Sequence, residues 1–150
     1  MRIRPATSDD VELIVEYNLR MALETEGKQL SRVLLTAGVR AVLTDSNRGC
    51  YFLAVEAEQV IGQLMITTEW SDWRNGQIWW IQSVFVEPKH RRRGVFRSLY
   101  RHVEGAARAT PGVVGLRLYV EHNNVLAHQV YESLGMRHAG YLVFETMWSG

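Results

Sequence analysis

VEPKHRRRGVF, Val86 to Phe96, lies between the apolar run QIWWIQSVFV (Gln77 to Val86) and an amphipathic run in which Val95, Phe96, Leu99, Tyr100, Val103, Ala106 and Ala107 recur at helical spacing. The first run predicts a strand and the second a helix, with Arg97, Arg101 and Arg108 on the solvent side. A helix that opens straight out of a polar loop points its first, internally unpartnered N–H groups at the loop mouth. With the helix dipole they make an anion site. Gly94 lets an anion approach the backbone, and Arg91, Arg92 and Arg93 add charge-assisted donors around the opening. A basic run is also the ordinary dress of a solvated surface, so what flanks the loop decides its meaning.

Downstream, RLYVEHNNVLAHQVYESLGM ends a second strand in an Asn pair and enters a helix on which Asn124, Ala127 and Tyr131 recur, stopped by Gly135. Two strand-to-helix corners with polar mouths suit a long phosphorylated cofactor threaded between neighbouring strands.

The rest of the chain fills out a sheet with helices. Arg2 to Arg4 alternates as a short strand, and Thr7, Ser8, Asp9 and Asp10 offer N-cap oxygens to a helix reaching about Thr25. A second helix is predicted from Ser31 through Leu43. Tyr51 to Glu56, Val60 to Glu69 and the run after Asn75-Gly76 form an antiparallel meander. VVGLRLYV is a buried strand, Val125 to Leu134 a helix, and Gly140 to Met147 a final strand. The order β-α-α-β-β-β-α-β-α-β describes an α/β (α+β) fold with a mixed, mostly antiparallel sheet.

Composition bounds the function. With 150 residues, 47% of them hydrophobic, one core and a single domain over residues 1–150 are expected. A formal net charge of +1 argues against nucleic acid as the main partner. The single cysteine, Cys50, excludes an internal disulfide framework and fits a reducing compartment. No run reaches transmembrane length and MRIRPATSDDVEL has no signal-peptide core, so a cytoplasmic protein without membrane association is expected. None of the five histidines forms an HxxxH pair, and no metal is expected.

The two corners resemble the GNAT acetyltransferase superfamily. Its signature is Arg/Gln-x-x-Gly-x-Gly/Ala opening a helix after a strand, then Asn-x-x-Ala-x-x-x-Tyr-Glu-x-x-Gly-Phe. This chain reads Arg91-Arg92-Arg93-Gly94-Val95-Phe96 and, later, Asn124 to Met136, with Phe96 and Met136 as departures. The resemblance implies acetyl-CoA as co-substrate, its pyrophosphate on the amides of Arg92 to Arg97 and its pantetheine arm beside Val84, Phe85 and Val86, pairing as an added strand would. It implies a bulge in that strand whose exposed amide, assigned to Val84, polarises the thioester carbonyl. Asn124 and Ala127 would meet the cofactor, and Tyr131 would give its proton to the departing thiolate.

The acceptor side is less defined. The family often carries Glu on the strand before the loop, where this chain has Gln82, and an amide cannot serve as a base. Glu69, Asp72, Glu24, Glu26, Glu121 and His122 remain candidates. Trp70, Trp73, Trp79 and Trp80 suggest an aromatic-walled pocket for a small-molecule or protein amine, although aromatics on adjacent strands more often cover a sheet face. The expected function is N-acetyl transfer to an amine by direct attack in a ternary complex; the alternative is a non-catalytic acyl-CoA-sensing module. The resemblance also allows a homodimer.

Overall fold

Five strands and four helices form among residues 1–148, which the computed structural model describes. The chain divides into two compact units, Met1–Tyr119 and the segment from Val120 onward. In the first unit the strands are β1 (Arg2–Pro5), β2 (Cys50–Glu56), β3 (Gln59–Ser71), β4 (Gly76–Val86) and β5 (Val113–Leu118). They lie in the sheet in chain order, antiparallel from β1 to β4, with β4 and β5 parallel. The mixed, mostly antiparallel sheet expected from the sequence is present.

A single 3-10 turn, Ser8–Asp10, capped by the Thr7 to Asp10 oxygens, leads into the helix α1 (Val11–Glu26). The Thr7 hydroxyl accepts from the Asp9 amide, and the Asp10 carboxylate accepts from the Thr7 amide at 2.8 Å and from both arms of Arg4 at 2.9 Å. Gly27, at φ +63°, closes the helix in the left-handed conformation that L side chains resist. The helix α2 (Arg32–Thr44) is capped by the Ser31 hydroxyl. Val11, Ile14, Val15 and Val39 of these helices pack on Tyr51 and Leu53 of β2.

On the opposite face lies α3 (Val95–Ala109), burying Val95, Leu99, Tyr100, Val103 and Ala107. Strand alternation requires this separation: Leu53 meets α1 and α2, whereas its neighbour Ala54 pairs with Gly62, where a Cβ would come within 3.1 Å of Val95. Parallel strands cannot be joined by a tight hairpin, and α3 is the crossover that carries β4 to β5. At the start of β4 only glycine fits, because a Cβ on Gly76 would stand 2.4 Å from the Val114 side chain.

The second unit holds α4 (Val125–Ser133), stopped by Gly135 at φ +95°. Gly140 to Met147, expected as a strand, joins no ladder among the described residues, and Tyr141, Leu142, Val143, Phe144 and Met147 are exposed. Its alternating apolar side chains suit a pleat, but a strand exists only where a neighbour supplies the hydrogen bonds.

Candidate functional site

The end of β4 is the irregular part of the sheet. Its pairing with β5 ends at Ile81 opposite Leu118, so Gln82 to Val86 run past the last β5 partner. On the other side Met65 pairs with Gln82 and Gln63 with Phe85, a step of two residues on β3 against three on β4. Ser83 and Val84 therefore stand outside both ladders, with Ser83 at φ +50°. This is the bulge expected around Val84. Phe85 is 4% exposed, so its backbone is the part available to a ligand.

Beyond Val86 a single turn, Pro88–His90, leads into the arginines, which do not act as a set. Arg91 donates through Nε to the Val86 carbonyl at 2.9 Å and holds Glu24 of α1 with both arms. The pair keeps the Glu24 carboxyl below the usual range. The Arg91 guanidinium lies 5.4 Å from the Phe85 ring centroid, and Arg20, paired two-pronged with Glu87, lies 4.9 Å from it. Arg93 turns back toward His90 and Glu56. Arg92 has φ +63° and Gly94 φ +80°, and a Cβ on Gly94 would meet nothing within 4 Å, so the mouth of α3 is open. The first helical bond runs from the Ser98 amide to the Gly94 carbonyl, so the amides of the first turn precede the helical ladder. Val95 is a core side chain and contributes only its backbone; Arg97 is exposed. The Phe96 ring lies 6.2 Å from that of Tyr100.

The residues expected on the acceptor side are only partly brought together. Trp80 donates to Glu69 at 2.7 Å and its ring stands 4.5 Å from that of Tyr119, while Arg117 reaches Glu69 at 3.3 Å. Gln82 donates to the Thr67 hydroxyl. The four tryptophans do not form one pocket. Trp79 and Trp80 are adjacent on a strand and face opposite ways, and Trp70 and Trp73 are exposed. Asp72 accepts from the Trp73 amide within the β3–β4 turn, and Glu26 is an exposed partner of Lys28. Arg117 and Tyr119 escaped the sequence reading, although Arg117 stands opposite Trp80 in the ladder and Tyr119 follows two residues on, just past β5.

In the second unit, the Asn124 carboxamide oxygen caps α4 by accepting from the Ala127 amide at 3.1 Å, leaving its nitrogen as the end able to meet a ligand. Burial holds the Tyr131 phenol above its ordinary value, so it carries its proton at neutral pH. Glu121 accepts from the Asn123 amide in the turn before the helix.

A bulged strand outlasting its parallel neighbour, followed by a glycine-opened crossover helix, is the frame of an acyltransferase. The chain belongs to the Acetyltransferase (GNAT) family, whose profile matches residues 16–136. A protein described as "a possible acetyltransferase" from Clostridium difficile 630 is 42% identical with a TM-score of 0.91, over 97% of this chain and 96% of that one. An aminoglycoside 6'-N-acetyltransferase from Acinetobacter haemolyticus shares the fold at 22% identity and TM-score 0.77, over 98% of each chain. So does a Clostridium acetobutylicum protein described as a predicted acetyltransferase with acetyl-CoA, at 20% identity and TM-score 0.78, over 96% and 95%. No curated protein matches.

Proposed function

We propose that this protein is an acetyl-CoA-dependent N-acetyltransferase in which a primary amine attacks the acetyl donor directly. The observation that carries this reading is the pair of openings on one strand–loop–helix segment: Val84 outside both ladders, and Gly94 at the uncovered start of α3. Acetyl-CoA supplies an acetyl group on a thioester. The amides of Arg92 to Arg97 would hold its pyrophosphate, and the Gln82–Val86 edge its amide-containing arm. Val84 N–H would donate to the carbonyl oxygen as charge gathers there. The amine nitrogen bonds to the carbonyl carbon as the carbon–sulfur bond breaks; Tyr131 gives its proton to the sulfur, and the amine's proton leaves through water.

For the acceptor, we assign Glu69 the role of meeting a cationic amine, with Trp80 and Tyr119 as the apolar wall beside it. Arg117 and the Trp80 N–H fix the carboxylate's direction. Action in the cytoplasm fits the lone Cys50, whose thiol burial pushes up and so disfavours as a nucleophile. An amine panel with acetyl-CoA, read by thiol release, tests the reading. At least one amine should raise thiol release above the hydrolytic background, and CoA should raise the melting temperature. Failure of both would overturn it; stabilisation without turnover would point to acyl-CoA sensing.

A further inference from the structure

Gln63 sits in the middle of the apolar run VIGQLMIT and is fully buried. Its Nε2 donates to the Ser83 carbonyl at 2.9 Å, and its Oε1 finds no partner among the described residues. An apolar side chain of the same length would fill this place without the unmet Oε1, though the Ser83 carbonyl would lose its donor. The compensating gain is at the other end of the hydrogen bond. Ser83 is a non-glycine residue at φ +50°, a conformation that persists only where its surroundings impose it. Two further buried polar side chains, Asn18 and Tyr51, belong to the same neighbourhood. Burial raises the Tyr51 phenol, against the opposing influence of Asn18 and Ser83 beside it.

We infer that Gln63 is a positioning residue for acetyl transfer: its carboxamide holds Ser83 in the left-handed conformation that sets Val84 outside both ladders. The inference rests on the acetyltransferase reading above. Gln63 touches no reacting atom; it acts through the direction of the Val84 N–H. A misdirected donor weakens stabilisation of the transition state more than binding of the ground state, so the effect belongs in kcat.

The test uses the full chain, acetyl-CoA, and water or an amine from the panel as acceptor. Gln63→Met should keep the melting temperature and leave KM for acetyl-CoA within about threefold, while kcat falls about tenfold or more. Adding Ser83→Gly, which adopts the conformation without strain, should restore part of that loss. Gln63→Glu provides a second arm. A protonated carboxyl can still donate to the Ser83 carbonyl and a carboxylate cannot, so its kcat relative to wild type should fall as pH rises. A folded Gln63→Met with unchanged kcat, or a flat pH ratio for Gln63→Glu, overturns the inference. If the wild-type protein releases no thiol, the acetyltransferase reading fails by itself. The clamp is then judged by a crystal structure of Gln63→Met, in which Ser83 should leave positive φ; retention of positive φ overturns it.

Discussion

Arg91 and Glu24, 67 positions apart in the chain, are joined by a two-pronged ion pair that ties the loop after β4 to the end of α1. An arginine that reads as a ligand donor is thereby a strut, and the loop's shape depends on a distant helix. Both side chains are more than a third exposed, so the pair is worth about 0.5–1 kcal/mol. Glu24→Gln should raise KM for acetyl-CoA by about two- to fivefold with little change in kcat, measured by initial rates of thiol release. Arg91→Ala combined with it should add almost nothing, as a double-mutant cycle would show.

Gly94 should tolerate little. At φ +80° with open space around it, alanine adds backbone strain of about 1 kcal/mol without a clash. Gly94→Glu also sets a carboxylate where the phosphates are proposed to sit. Gly94→Ala should weaken CoA binding by about fivefold and Gly94→Glu should abolish it, as calorimetry would record. Retained affinity in the second variant would move the phosphate site elsewhere.

Tyr131→Phe should lower kcat by about tenfold to a hundredfold while CoA affinity stays near that of the native protein. The raised phenol means the group is a proton donor, not an anion, across the neutral range. Unchanged turnover would remove it as the acid.

Asp10 makes a prediction about acid stability. The Arg4 hydrogen bonds hold its carboxyl below the ordinary value of 3.8, against the opposing cost of burial. A depressed carboxyl stabilises the fold fully above its unfolded value and loses that contribution as pH falls through the folded one. Asp10→Asn should therefore cost about 1–2 kcal/mol at pH 7, with the gap to wild type narrowing below about pH 4 in denaturant titrations.

Local chemistry was legible in the sequence. Thr7 and Ser31 declared their helices, Asn75-Gly76 its hairpin, and the glycine after three arginines the start of α3, because each depends on neighbours within a few residues. Long-range partnership was not. Nothing in Arg91 announces Glu24, and Gln63 reads as an interruption until the register sets it beneath Ser83. Trp79 and Trp80 looked like one cluster because a string does not display the two faces of a strand. The run from Gly140 to Met147 has strand composition but joins no ladder among the described residues, since pairing is a property of two segments.

The bulge at Ser83 and Val84 has a second consequence, for solubility. Among the described residues, strand β4 is interior up to Ile81 and without a β5 partner beyond it, and a bare edge invites any extended chain to add itself. Here the edge is short and its pleat is broken in the middle by a residue at positive φ. Another protein's strand would lose alignment almost at once, whereas a thin linear arm needs only a few well-placed partners. The kink therefore also sorts visitors: it discourages self-association through the same groups that are proposed to meet a small molecule.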